Sequence, residues 1–254
     1  MATYTHPVTG EQLEYVPFEE LSPEDRGRVT SPDLAMRVSA AMRRLGLDRL
    51  VGDDSDVVRS TVAAQGYGLE MLISDSDPDV RWKVARQGFG LDVLVNDPEP
   101  LVRAGVAECG YALDVLASDR NKYVRWEVVA QTDTPEAFAR DKAPEVRQAV
   151  ARRGAALDVL VGDDSESVRA EVARQGYGLE RLVNDESPAV RVIVARQGFG
   201  LDQLVRDAIA WVRREAAAWL DAHGMGLGEW RASFPDRSAV GSPERGHGFW
   251  GLGA

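Results

Sequence analysis

The chain has 254 residues, 44% of them apolar and 28% charged, and a formal net charge of −11; this is the composition of a soluble globular protein with enough apolar material for a core. Its one cysteine, Cys109, excludes an intramolecular disulfide and any metal centre built on several thiolates, so the fold must rest on packing, and a reducing cytoplasm is the expected setting. No stretch approaches the roughly 18 apolar residues of a membrane span and the opening residues carry no export pattern, so neither insertion nor export is expected; the acidic charge works against long-range attraction to a phosphate backbone.

Residues 1–30 read as an acidic leader in which Tyr15, Val16, Phe18 and Leu21 are placed to cover the open face of the first repeat. From residue 31 to residue 224 the sequence repeats with a period of 22 and no insertion, and a period of this kind governs the fold. Arginine recurs at Arg37, Arg59, Arg81, Arg103, Arg125, Arg147, Arg169, Arg191 and Arg213. Aspartate stands six residues before each of these except the first, at Asp53, Asp75, Asp97, Asp119, Asp141, Asp163, Asp185 and Asp207. A leucine column runs through Leu50, Leu72, Leu94, Leu116, Leu160, Leu182 and Leu204, with Phe138 in the fifth unit, and an acidic residue stands two positions before each member.

Within one unit, Val80, Val84 and Ala85 have the spacing of a helix with one buried face. Ser55, Asp77, Asn121, Ser165 and Ser187 stand where such a helix needs its N-cap, and Pro78, Pro100, Pro144 and Pro188 stand where a first helical residue tolerates proline. A glycine column that includes Gly66, Gly88 and Gly176 supplies the left-handed residue that ends many helices. The rest of the unit, such as Leu91, Leu94 and Val95, fits a short α or 3-10 helix of about two turns. Two helices this small cannot bury their apolar faces alone, so units must stack into one continuous core. The expected fold is all-α: a solenoid of about nine 22-residue repeats, each a longer α-helix plus a short one. The last unit lacks the Gln-Gly-Tyr turn, runs on as a longer helix and reads as the end cap, closing at Gly224, and residues 225–254 read as a Gly/Ser/Pro-rich tail.

The fifth unit, beginning Thr132-Asp133-Thr134-Pro135 and continuing to Val146-Arg147 and Val150-Ala151, resembles the leucine-rich repeat variant family, a relative of HEAT-like solenoids. The other units keep the second half of that pattern and replace the first with Gly-Tyr/Phe-Gly-Leu-Asp. The resemblance covers about three quarters of the chain and implies alternating α and 3-10 helices in a right-handed superhelix. One branch of the family carries an iron–sulfur segment, but the cysteines for it are missing here, and no cofactor is expected.

A role repeated with one spacing along the whole chain is what a stacking device looks like, so the Asp and Arg columns are expected to form a ladder between successive loops. The aromatic column at Tyr67, Phe89, Tyr111, Tyr177 and Phe199 fills turns or stacks on a ligand. Recognition belongs instead where the units differ. Trp82 and Trp126 lie two residues past the buried valines, about 200° around the helix, and so belong at or near the surface. With Lys83, Arg86, Arg174 and Arg196 they make a candidate aromatic and basic partner-binding stripe. The opposing reading is that each indole covers the helix of the next unit. Phe249 and Trp250 in the tail are either a docking motif for another protein or fold back onto the last repeat.

His6, His223 and His247 have no paired spacing, and Cys109 is expected to be a small buried side chain, so catalysis and metal binding are not indicated. The expectation is a non-enzymatic scaffold for a protein or peptide partner. The alternatives are a HEAT-like nucleic-acid binder resembling the alkylated-base DNA glycosylases, disfavoured by the net charge, and an acidic inhibitor of a nucleic-acid-binding partner.

Overall fold

The computed structural model describes residues 1–233, so Phe249 and Trp250 lie outside the described residues. Two compact units divide the chain, Met1–Asp133 and a second that begins at Thr134. Both are stacks of short helices, as the 22-residue period predicts.

The first unit opens with a β-hairpin, β1 (Ala2–Thr5) antiparallel to β2 (Gln12–Tyr15) with Ala2 opposite Tyr15, followed by a 3-10 turn at Phe18–Glu20 and α1 (Pro23–Val29). Long and short helices then alternate: α2 (Leu34–Met42), α3 (Leu47–Leu50), α4 (Asp56–Ala64), α5 (Leu69–Leu72), α6 (Pro78–Arg86), α7 (Leu91–Leu94), α8 (Pro100–Glu108), α9 (Leu113–Leu116) and α10 (Lys122–Gln131). Each long helix packs on the next, α2 on α4, α4 on α6, α6 on α8 and α8 on α10. Each short helix rests against the long helices before and after it.

The second unit starts with a 3-10 turn at Pro135–Phe138 and continues as α11 (Pro144–Arg152), α12 (Leu157–Leu160), α13 (Glu166–Arg174), α14 (Leu179–Leu182), α15 (Pro188–Arg196), α16 (Leu201–Leu204), α17 (Ala210–Ala222) and α18 (Leu227–Ser233). The short element is therefore 3-10 where the sequence reads Thr-Pro and α where it reads Gly-Leu or Ala-Leu. The tail boundary expected at residue 225 moves, because residues 227–233 form a helix whose Trp230 is buried and donates its indole N–H to the Gly198 carbonyl at 2.9 Å. The ring and its hydrogen bond anchor residues of the Gly/Ser/Pro-rich tail to the Gly198 turn.

Local rules explain the unit. Asp77 caps α6 by accepting from the Asp79 N–H at 2.8 Å, and Pro78 takes the first helical position. Asn121 and Ser187 cap in the same way, whereas Ser55 and Ser165 hold the position without that bond. At the other end the Gly88 N–H reaches the Ala85 carbonyl and the Phe89 N–H reaches Val84, the paired bonds of a Schellman stop. Two residues on, Gly90 sits at φ +62° and opens the next short helix; a Cβ there would lie 2.1 Å from Ile73 Cδ1. Val80, Val84 and Ala85 are then fully buried with Leu94, and the same positions are buried in the inner repeats, with Phe138 half-buried in the leucine column. Each Val or Leu so buried contributes roughly 1.5–3 kcal/mol, which stacking supplies and an isolated unit cannot.

The leader does more than close the first repeat. Leu21 and Val29 pack against the Gly46 turn as an end cap should. The hairpin instead reaches along the edge of the stack: Tyr4 and Tyr15 lie 4.9 and 5.1 Å from the Tyr67 ring, and His6 is buried over Gly66.

Candidate interaction surface

The Asp and Arg columns form one repeated joint. Arg81 donates from Nε and Nη2 to the two carboxylate oxygens of Asp97, at 2.7 and 3.0 Å, and from Nη1 to the carbonyls of Asp75 and Ser76. One guanidinium thus fastens the loop of its own unit to the loop of the next. The same joint recurs at Arg37–Asp53, Arg59–Asp75 and Arg103–Asp119, and in the second unit at Arg147–Asp163, Arg169–Asp185 and Arg191–Asp207. Each aspartate also accepts the N–H two residues on, as Asp97 does from Glu99. Arg125 holds the Asp119 carbonyl, and at the last repeat Arg213 holds the carbonyls of Asp207 and Ala208. Asp141 accepts from the Ala143 N–H. Burial opposes ionisation of Asp75, Asp119 and Asp163, but the guanidinium fork and the backbone N–H outweigh it and hold each carboxyl below its ordinary value. At Asp207 the Arg191 fork is the leading cause of the same depression.

A second ladder runs at the opposite ends of the long helices. Gln87 Nε2 donates to the Ala64 carbonyl, Gln175 to Arg152 and Gln197 to Arg174, at 3.1 to 3.3 Å, tying the last turn of one helix to the next. Its signal in the sequence is the glutamine before the terminating glycine, which recurs with the same 22-residue period. Cys109 takes this position just after α8 and its Sγ donates to the Ala85 carbonyl. The expectation of a buried cysteine is corrected: the residue is exposed, because it caps the helix beyond Val106 and Ala107, the last residues of the buried stripe. Partial burial of the thiol and the Glu108 carboxylate push its pKa up, away from a nucleophile's requirement.

The aromatic and basic stripe is not a free surface. Trp82 is half-buried and lies across Gly105 of α8, where a Cβ would stand 2.5 Å from its Cδ1, so this indole covers the neighbouring helix. Lys83 Nζ is 4.4 Å and Arg86 Cζ 5.0 Å from the Trp82 ring centroid. Arg86 is also paired with Glu108 at 2.9 Å. Trp126, on α10, is half-buried as well. In the second unit Arg174 and Arg152 share the buried Glu171, at 3.0 and 3.7 Å, and Arg196 meets Glu215 at 2.8 Å. The arginines on which a nucleic-acid reading depends are therefore already matched with carboxylates. The aromatic column is mostly half-buried, and Tyr111 is its exposed member.

The other side of the first unit differs. In the short helices α5, α7 and α9 the residue between the acidic and leucine columns is Met71, Val93 and Val115, with relative exposures of 66%, 61% and 60%. They recur at intervals of one repeat, so they stand in a row. Each directly follows an exposed acid, Glu70, Asp92 or Asp114. Glu70 accepts from the Tyr4 hydroxyl at 3.5 Å, while Asp92 and Asp114 make no ion pair or hydrogen bond among the described residues. The row is bounded at its start by Arg49, whose guanidinium lies 4.8 Å from the Phe18 ring centroid. The acidic column is visible in the sequence, but the exposed row is not, because a variable position gives no sign of whether it faces solvent.

No family model and no curated protein matches this sequence. Among the described residues no group of three or more His, Cys, Asp or Glu is placed to hold a metal ion, and no helix is long and apolar enough to cross a membrane. An open depression of about 400 Å³ lies along the ladder edge of the second unit, lined by Asp163, Arg169, Asp185 and Arg181 among others, and it coincides with the loop joint already described.

Proposed function

We propose that the protein is a non-enzymatic scaffold that binds a protein partner on the short-helix face of its first unit, acting in the cytoplasm as the lone cysteine suggests. The observation that carries this reading is the row Met71, Val93 and Val115, three large apolar side chains more than half exposed and spaced by one repeat. The ladders, the turns and the valine core account for the recurring residues; the row serves none of these, and its regular spacing sets it apart from single exposed apolar residues and suits it to contact with another molecule. The resemblance to leucine-rich repeat variant proteins is part of the same proposal and bears on fold alone. The test is affinity capture with the full chain beside its Met71→Ser, Val93→Ser, Val115→Ser triple variant. The expected result is loss of specific partners with an unchanged melting temperature, and capture of the same partners by both proteins overturns the assignment of the face.

The acidic column supports a narrower second reading, an acidic decoy for a nucleic-acid-binding protein. In that case the captured partners are released by added DNA or RNA, and partners indifferent to it speak against the decoy.

A further inference from the structure

We infer that the short-helix face of the first unit takes a basic peptide in polyproline II conformation, with an apolar side chain at every third residue. This rests on the reading of that face as a protein-binding surface and adds the chemistry and geometry of the occupant. Three features of the row decide it.

The first is charge. Glu70, Asp92 and Asp114 run beside the row, and the carboxylates of Asp92 and Asp114 have no partner among the described residues. On the side that carries Trp82, by contrast, Arg86 is balanced by Glu108. An occupant of the row meets unbalanced negative charge at each step, so Lys or Arg must accompany its apolar residues.

The second is spacing. The long helices α4, α6, α8 and α10 pack directly on one another, and packed helices stand roughly 8–10 Å apart. The short helices ride between them, so Met71, Val93 and Val115 repeat at about that interval. A polyproline II chain advances about 3.1 Å per residue with three residues per turn, so every third side chain returns to the same side after about 9 Å. A β-strand returns every second residue, after roughly 7 Å, and falls out of step within two repeats.

The third is width. The row is one residue wide, since the position before it is acidic and the one after it is the buried leucine Leu72, Leu94 or Leu116. An amphipathic helix presents an apolar stripe of at least 100° and would set its neighbouring apolar residues against carboxylates. A chain that offers one apolar side chain per turn has no such surplus.

The probes are fluorescein-labelled peptides titrated into the full-length protein and read by anisotropy. The first is four Leu-Lys-Pro triplets, the second has the same composition with its leucines clustered, the third carries Glu in place of Lys, and the fourth is an alanine-based helix with leucine at every seventh residue. The first is expected to bind, with affinity falling as salt rises. The clustered and acidic peptides are expected to bind at least tenfold more weakly, and the Met71→Ser, Val93→Ser, Val115→Ser variant to lose about tenfold for the first peptide alone. Asp92→Asn with Asp114→Asn, both exposed, is expected to weaken it without changing the melting temperature. Equal binding of ordered and clustered peptides, or tighter binding of the helical peptide, overturns the geometry. If no peptide binds while the triple variant still loses its captured partners, this occupant is wrong and the scaffold reading stands.

Discussion

Arg103 reaches Asp119, the aspartate of the next repeat, with one edge of its guanidinium, Nε to Oδ2 at 2.6 Å and Nη2 to Oδ1 at 2.9 Å, while its Nη1 holds the Asp97 carbonyl at 2.7 Å behind it. Both side chains of the pair are buried to 8% exposure. Removing one member leaves the other charged and shielded from water, which typically costs about 3–5 kcal/mol. Arg103→Ala is therefore expected to destabilise the first unit by about 3 kcal/mol in urea unfolding. Arg103→Lys should recover only part, since an ammonium cannot make the fork. Arg213→Ala, at an exposed end position that holds only its own loop, should cost less than about 1 kcal/mol. Equal losses at the two arginines would show that the joint between repeats is not what the column is for.

Acid should act through the same joint. The carboxyls of Asp75, Asp119, Asp163 and Asp207 are held below their ordinary value in the folded chain. A carboxyl depressed on folding contributes stability that is fully present above its unfolded pKa of about 3.9 and is lost as pH falls through the folded value. The melting temperature is thus expected to be flat from pH 7 to about pH 5 and to fall steeply below pH 4. With Asp119→Asn together with Arg103→Met, the acid fall should become shallower; an unchanged slope would place the acid sensitivity elsewhere.

Two of the turns that open a short helix carry a residue that fits them poorly. Ala112 and Ala156 open their short helices at φ +51° and +49°, where Gly46, Gly68, Gly90, Gly178 and Gly200 open the other short α-helices. A left-handed alanine costs roughly 1–2 kcal/mol, more than the chain entropy glycine brings. Ala112→Gly and Ala156→Gly are each expected to raise stability by up to about 1 kcal/mol. Gly90→Ala should do the reverse and by more, since strain adds to the contact with Ile73. Thermal melts of the three single variants decide it.

The fold was legible because the stacking residues repeat. Val80, Val84 and Ala85 mark the buried face, Asp77 and Pro78 the helix start, and Gly88 its stop, each by a local rule that needs no knowledge of the neighbour. The Arg81–Asp97 joint was legible as a column, though its partner sixteen residues on was not, because the spacing of two columns does not say across which gap they bond. The surface was least legible. Whether Trp82 faces solvent or Gly105 depends on the next helix offering a glycine, and whether Met71 is covered depends on what lies outside the short helix. The buried Trp230 leaves no signal in the sequence, because a single aromatic among glycines has no periodicity to read.

The leader makes a specific lock. His6 Nδ1 accepts the N–H groups of Val8 and Thr9, so its Nε2 carries the proton and donates to Gln87 Oε1 at 3.2 Å, while Gln87 Nε2 donates to the Ala64 carbonyl. The hairpin is thereby bonded into the glutamine ladder. His6→Ala is expected to expose the hairpin amides to hydrogen exchange and to make the Tyr67 ring more accessible, with little change in helix content by circular dichroism. Protection of residues 2–15 equal to that of the parent chain would show that the tyrosine contacts suffice alone.

Trp82 and Gly105 provide the sharpest separation of a packing role from a binding role. The indole occupies the space a Cβ at residue 105 would need, 2.5 Å from Cδ1. Trp82→Ala should destabilise by about 2 kcal/mol, below the roughly 3–5 kcal/mol of a fully buried tryptophan because this one is only half-buried. Gly105→Ala should also destabilise, since the large ring cannot shift without losing its seat. In the double variant the alanine at 105 meets open space and gains helix propensity over glycine, so the two losses should fall short of their sum by about 1 kcal/mol or more. Strict additivity, or a Trp82→Ala variant with unchanged stability that loses a partner, would make this tryptophan a recognition residue after all.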